Sequence, residues 1–312
     1  MVSIFLSVAF NYTTNQKKNN LKKAPSIWRD AFHRFLKNKY AILGLVILTF
    51  MFLFSFVGPY FSPYLDAKID VSKGNQPPST EHWLGTDNLG RDVLLRLMLA
   101  GRISLTIGIA ATLIIVLIGG MLGSIAGYYG GWLDVIIMRL ADIIYAMPGL
   151  PILIMLGAIM SDLKIPPPQR IYYVMFILGF ISWVGLARLI RSQILSLKEQ
   201  EFMLATEVLG LRDSKKIIKH LFPNVLPTVI VSATLGVAGA ILSESALSFL
   251  GLGVIPPTPS WGYMLSAANN MIDFAKRPWL WIPPGVAIML TVVAINFIGD
   301  ALRDAFDPRQ KI

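Results

Sequence analysis

Along the chain, long stretches without a charged side chain alternate with short polar ones. Uncharged runs cover 40–65, 103–133, 143–161, 171–187, 220–243 and 278–299. A hydrocarbon core about 30 Å thick takes roughly 17 to 25 helical residues, so each run has the length of one span and the pattern predicts six. A seventh run, 245–272, carries "GLGVIPPTPSWG", whose prolines and glycines cannot propagate a helix through lipid; it is expected to be a loop. The opening "MVSIFLSVAF" is apolar but lacks the basic flank and small-residue cleavage site of a signal peptide, so residues 1–16 are expected to be part of a disordered or mis-started terminus.

Composition supports this reading. The 312 residues are 54% hydrophobic and 15% charged, against roughly 25% charged in soluble domains. With six spans both termini share a side. Placing them inside gives the cytoplasm 19 of the 28 Lys and Arg residues, as the positive-inside tendency requires. Arg91, Arg96 and Arg102 fall outside, which predicts that the first exterior segment is structured or re-entrant. The net charge of +10 is spread over helix ends and loops with no aromatic-interleaved patch, so nucleic acid is not an expected partner. With no cysteine, disulfides, thiolate metal sites and cysteine nucleophiles are excluded. The Asn11 sequon lies on a predicted cytoplasmic tail, where it has no use.

"EFMLATEVLGLRDSKKIIKHLFPN", residues 201–224, interrupts the greasy pattern between the fourth and fifth spans. Phe202, Ala205 and Leu209 recur at helical spacing with Glu201, Thr206 and Glu207 pointing away, and Gly210 provides a C-terminal stop. A second short helix is expected from Asp213 or Ser214, both good N-caps, with Ile217, Ile218, Leu221 and Phe222 on one side and Lys215, Lys216, Lys219 and His220 on the other, limited by Pro223. Two amphipathic helices joined at a glycine suit either docking into a groove on another protein or resting on lipid headgroups.

This passage resembles the cytoplasmic loop of ABC importer membrane subunits, described as Glu-Ala-Ala, three residues, Gly. The matching positions read Leu204, Ala205, Thr206, then Gly210, with Pro223 following; glutamate is replaced by leucine and the second alanine by threonine. Further stretches resemble one branch, the second membrane subunit of dipeptide/oligopeptide/nickel permeases: "HWLGTDNLGRDVLLRLMLAGRISL", "AGYYGGWLDVIIMRLADIIYAMPGL", "ESALSFLGLG", "PPTPSWGYML" and "IGDALRDAFDPR". The resemblance runs from about residue 30 to the C-terminus.

It implies an all-α polytopic fold of the type I ABC importer kind. The expected organisation is a cytoplasmic tail (1–39), a first transmembrane helix (40–61), an exterior loop (62–102), a permease core (103–302) and a cytoplasmic tail (303–312). Within the core, a coupling helix between spans four and five lies in a loop at about 192–223, and an exterior loop at about 253–277. The implied partners are a homologous second permease subunit, two cytoplasmic ATP-binding subunits, an extracytoplasmic substrate-binding protein and the lipid bilayer of a bacterial or archaeal plasma membrane. Glu201, Leu204, Ala205, Thr206, Gly210, Asp213, His220 and Pro223 would face the ATPase subunit. Trp83, Gly85, Thr86, Asp87, Gly90, Arg91 and Asp92 would form an exterior docking or gate-supporting surface, or, for Asp87, Arg91 and Asp92, an internal ion-pair set. Relatives in this branch import dipeptides, longer peptides, glutathione, nickel chelates or sugars; peptide is the expected cargo.

The chain is not expected to be an enzyme or to bind a cofactor: ATP and Mg would sit in the partners. In "GTDNLGRD" the spacing of Gly85 and Gly90 suits a phosphate loop, but Arg91 and Asp92 stand where Lys and Ser/Thr are needed. His33, His82 and His220 are too scattered to predict a metal site. Ser243 and Glu244 lie at the exterior end of the fifth span, where an ionisable group is a functional candidate, here for a structural or gating hydrogen bond. Arg139 and Asp142 can pair or be solvated as helix-end charges; Asp300 and Asp304, with Arg303 between them at the end of the sixth span, could touch the nucleotide-binding subunit or be solvated helix-end charge. Gly119, Gly123 and Gly127 line one helical stripe for close packing. Trp261, Trp279 and Trp281 fit an exterior aromatic belt. An ion-coupled secondary transporter would show internal repeats and buried charge, neither evident here; a membrane scaffold would explain the knob but no pore.

Overall fold

The computed structural model describes residues 27–64 and 69–307. The apolar opening, residues 1–16, the Asn11 sequon and the end of the C-terminal tail lie outside them. Most of the described residues are helical, and among them there is a single isolated bridge between Thr86 and Asp92 and no strand. In chain order the helices are α1 (Ile27–Lys37), α2 (Lys39–Phe56), α3 (Val93–Tyr129), α4 (Gly131–Ala146), α5 (Gly149–Asp162), α6 (Pro167–Lys198), α7 (Glu201–Val208), α8 (Asp213–Phe249), α9 (Trp261–Leu265), α10 (Met271–Lys276) and α11 (Ile282–Phe306).

Five of these, α2, α3, α6, α8 and α11, are long and apolar enough to cross a membrane. The sixth span is divided. The run 143–161 straddles a break at Met147 and Pro148 where α4 and α5 meet with an 82° bend. The cause is local: proline drives the residue before it out of the helical region, and Met147 is extended at ψ 133. With 16 and 14 residues and about 1.5 Å of rise each, neither half alone traverses the core, and only the two together have the length of one span.

Helix α3 starts at Val93, not at 103, because the Asp92 carboxylate caps the Leu95 amide at 2.8 Å. This carries Arg96 and Arg102 onto the helix. Each is neutralised or shared: Arg96 Nε lies 3.6 Å from Asp87, and Arg102 donates to the Phe56 carbonyl at 3.1 Å while stacking over Phe56 and Tyr60. A boundary drawn at the last charge misses helix turns whose cations have partners.

The glycine stripe performs the predicted packing. A Cβ on Gly119, Gly123 or Gly127 would lie 2.9, 2.5 or 2.9 Å from the carbonyl oxygens of Trp183, Ala187 and Arg191, spaced four residues apart on α6. Backbone-to-backbone approach at three successive turns fixes α3 on α6. Trp183, Val184 and Ala187 fill the space beside it with Ala126, Ile137 and Ala141. On the opposite flank α8 crosses α3, with Ile241 against Gly108, and α2 packs on α11 through Gly44. Helix α1, within the stretch read from sequence as a tail, buries Ala31 and Phe35 against Ile298, Ala301 and Ala305 of α11.

Candidate functional site

The polar interruption folds as a knob, with corrections. Its first helix, α7, ends in a Schellman stop: Gly210 at φ +64 donates to Glu207 O at 2.9 Å, and Leu211 donates to Thr206 O at 3.2 Å. Its inward face, however, is Met203 and Thr206, with Phe202 half-buried; Ala205 and Leu209 are exposed. Thr206 is hidden because its hydroxyl donates back to Met203 O at 2.7 Å, needing no water. Outward stand Leu204, Val208 and Leu209 at 59, 89 and 74% exposure, a contiguous apolar rim beside Glu201 and Glu207.

The second short helix is not separate. Residues 213–249 run on as one helix through a π turn at Lys216–Leu221. Pro223 does not end it: the proline falls where the π turn Lys216–Leu221 passes into the α-helical segment Phe222–Phe249, at a change of step in the hydrogen-bond ladder. Lys216, expected on the polar side, is buried, while Ile218 is exposed, because the extra residue of the π turn rotates the faces. Asp213 is the first helical residue rather than an N-cap. Its carboxylate accepts from Tyr128 Oη at 2.6 Å, and Lys198 Nζ donates to Tyr128 O at 2.8 Å. Arg191 grips Asp134 through two bonds of 2.5 and 2.6 Å. Tyr128 thereby ties α3 to the knob, Lys198 joins α6 to α3, and Arg191 joins α6 to α4, all by charge-assisted contacts. His220 is half-buried in the π turn. Asp142 pairs chiefly with Arg188 of α6 at 2.7 Å, with Arg139 at 4.0 Å. Asp300, Arg303 and Asp304 face outward.

The exterior set divides in two. Asp87 Oδ1 accepts from the Leu89 and Arg91 amides at 2.9 and 3.0 Å, and Oδ2 pairs with Arg91 at 2.8 Å, so Asp87 and Arg91 form the internal ion pair foreseen as one alternative. Asp92 caps α3 and holds His82 Nδ1 at 2.9 Å. Thr86 is fully buried, donating to Lys73 O at 2.6 Å and accepting from Gln76 N at 2.8 Å. Gly90, at φ +75, passes against the Asp70 carbonyl where no side chain fits. Gly85 lies under Trp279. Only Trp83, 74% exposed, is presented outward. Nearby, Glu81 pairs with Lys73 at 2.5 Å, which holds the Glu81 carboxyl below the usual carboxylate range. Trp261 departs from the aromatic belt: it is fully buried and donates through Nε1 to Leu97 O at 3.1 Å.

Ser243 and Glu244 are sequence neighbours facing opposite ways. Glu244 is fully buried and accepts from Ser248 at 2.7 Å, Ser104 at 3.0 Å and more weakly Ser245 at 3.5 Å. Those hydroxyls in turn accept from the loop: Trp261 N reaches Ser104 Oγ at 3.2 Å and Val254 N reaches Ser248 Oγ at 2.9 Å. One carboxylate therefore joins α3, α8 and the Gly/Pro-rich segment between α8 and α9.

Ser243 instead lines a furrow between α6 and α8. At its α5 end is a hollow of about 330 Å³ bounded by Leu150, Ser182 and Ser243. Ser182 and Ser243 also border the next, of about 440 Å³, with Gly185, Ser232 and Gly239. Ser232, Leu189 and Leu235 pass it on to a third, of about 970 Å³, reaching Asn224 and Arg303. Through these shared residues the three hollows adjoin in series along α8, from Leu250 to Asn224. Its polar lining is hydroxyl and amide until Asp30, Arg34, Arg303 and Asp307 at the α11 end. Sequence reading found Ser243 but not Ser182, Ser232 or Gly239; isolated small residues in an apolar run give no signal until two helices are placed side by side.

Comparison with known proteins adds the following. Residues 119–312 match the model of the family described as binding-protein-dependent transport system inner membrane component. Residues 26–78 match the N-terminal TM domain of oligopeptide transport permease C. The chain is 40% identical over 288 residues to the oligopeptide transport system permease protein OppC of Bacillus subtilis, covering 92% of each chain. It is 43% identical over 288 residues to the OppC of Haemophilus influenzae, covering 92% of this chain and 90% of that one. Against the dipeptide transport system permease protein DppC of Alkalihalophilus pseudofirmus it is 41% identical over 288 residues, covering 92% of each. With its spans, its knob and its furrow, the chain belongs to the family of inner-membrane components of binding-protein-dependent transport systems.

Proposed function

We propose that this chain is one wall of the translocation pore of an ATP-driven importer of peptides, a non-catalytic subunit paired with a homologous second permease. The continuous furrow between α6 and α8 carries this reading. Its lining is apolar with hydroxyl groups at Ser182, Ser232 and Ser243, and is uncharged up to Asp30, Arg34, Arg303 and Asp307, as suits a peptide backbone whose side chains vary. A second subunit laid over it would close the pore. The oligopeptide and dipeptide permeases at about this level of identity support the cargo class.

ATP and Mg are held by two cytoplasmic partner subunits, and the chain's ends face that side. The rim of Leu204, Val208 and Leu209 fits a groove on one of these subunits, with Glu201, Ala205 and Gly210 beside it. When the partners close, the knob moves as a body. The Tyr128–Asp213 and Arg191–Asp134 contacts carry that motion into α3, α4 and α6, and the direct continuation of α8 from the knob carries it to Ser243. At the exterior end, Glu244 and its serines hold the loop that would form the outer gate, and Trp83 projects toward the substrate-binding protein.

The test exploits the absence of native cysteine. Single Cys variants at Ser182, Ser232 and Ser243, in the reconstituted complex, should react with small water-soluble thiol reagents. The reactive side should change with ATP, and transported peptide should protect. Reactivity that is absent in every nucleotide state would refute the pore assignment; protection by a nickel chelate but not by peptide would reassign the cargo.

A further inference from the structure

We infer that α1 is a membrane-surface helix that docks onto anionic lipid headgroups of the leaflet at the α11 C-terminal end; the pore reading is needed only to name that leaflet cytoplasmic. At about 100° per residue, the helix carries one broad apolar arc with a buried and an exposed edge. Ala31 and Phe35, at the first edge, are buried on α11, and the Trp28 ring in the middle is edge-on to Phe306 at 5.3 Å. The other edge, Phe32 and Leu36, is not covered by the protein: they are 60 and 43% exposed, and Trp28 between the edges is 45% exposed. Next around the helix come Arg29, His33 and Lys37, also at four-residue intervals and exposed. Asp30 and Arg34 follow on the far edge, turned to the furrow mouth.

An exposed apolar row bordered by a cationic row is the signature of a helix lying in the headgroup boundary. The row also continues into the membrane: Asn38 caps α2, and Leu36 is followed by Tyr40, Leu43, Val46 and Phe50, all exposed on a helix that crosses the bilayer. What bathes that stripe is lipid, so the occupant of the α1 row is the same bilayer at its surface. Lys39 adds a third fixed cation at the junction, and basic residues at an anionic surface attract it. The chemistry selected is a phosphate-bearing, net negative headgroup above an acyl boundary.

The experiment uses the full chain within its complex, in nanodiscs of phosphatidylcholine with or without phosphatidylglycerol. A Phe32→Cys variant, unique because the chain has no cysteine, carries an environment-sensitive fluorophore; Leu36→Cys serves if that variant assembles poorly. Lipids spin-labelled near the headgroup should quench the probe and aqueous iodide should not. Replacing Arg29 and Lys37 by Gln should lower the docked-to-undocked ratio by about fivefold per cation in the anionic discs and far less in pure phosphatidylcholine. Equal iodide quenching in all discs would overturn the proposal. So would protection that ignores lipid composition and appears only when partner subunits are present, which would make the occupant a protein. Neither readout depends on transport, so a failed pore assignment leaves this result interpretable.

Discussion

At the residue scale, Gly210 and Glu244 show two different kinds of demand. Gly210 has a left-handed backbone and open space around it, so a side chain there strains only the main chain, by about 1–2 kcal/mol. Gly210→Val should therefore loosen the Schellman stop, lowering capture of the ATPase partner and raising ATP hydrolysed per peptide imported. Gly210→Asn, tolerant of that conformation, should stay near wild type; equal uptake by both variants would count against the knob as the coupling element. Glu244 is a packing and satisfaction problem. Glu244→Ala strands the Ser104 and Ser248 hydroxyls, each at about 1–3 kcal/mol, and should lower the detergent melting temperature clearly. Glu244→Gln, still an acceptor, should melt closer to wild type while altering uptake, since the exterior loop is held through the same serines.

The element scale is governed by how closely helices approach. Gly123→Val would push a branched side chain into the Ala187 carbonyl, and overpacking of this kind costs about 1–3 kcal/mol. Thermal unfolding should detect it, with aggregation on extraction as the more severe outcome. Gly239 offers the contrast: nothing lies within 4 Å of an added Cβ, yet it borders the furrow. Gly239→Leu should leave the melting temperature unchanged and reduce peptide uptake. Two glycines of equal sequence appearance thus separate into a packing and a passage role by measurement. Between elements, Tyr128→Phe removes one charge-assisted bond to Asp213, about 1.5–3 kcal/mol, without altering the α3 core. It should weaken coupling with little change in partner binding.

At the scale of the whole molecule, the unpartnered surfaces have a consistent arrangement. On the proposed function, the furrow on the α6 and α8 side, the rim on α7 and the exposed Trp83 at the other end would meet three separate partners: a second permease, an ATPase subunit and a substrate-binding protein. Cross-linking from Cys variants at Ser243, Val208 and Trp83 should capture three different polypeptides. Capture of one and the same partner at both Val208 and Trp83 would contradict the reading.

The sequence by itself determined the membrane class, five of the six expected spans and the location of the knob. Each rests on a run of apolar residues or a break in one, and hydration of side chains is a local property that composition reports. It also located Gly210 and the glycine stripe, since backbone freedom and missing side chains are intrinsic to glycine. The bend at Met147 and Pro148 and the tucked hydroxyl of Thr206 have local causes that hydrophobic periodicity does not report. Tertiary structure alone decided the burial of Trp261 and the π turn that fuses the second knob helix to α8. It decided too that Ser243 faces a furrow while Glu244 faces the interior. The buried polar and aromatic groups among these are placed by partners 100 or more residues away, as Ser104 meets Glu244 and Leu97 meets Trp261. Hydrogen bonds satisfied at such separation leave no periodic trace in the sequence that makes them.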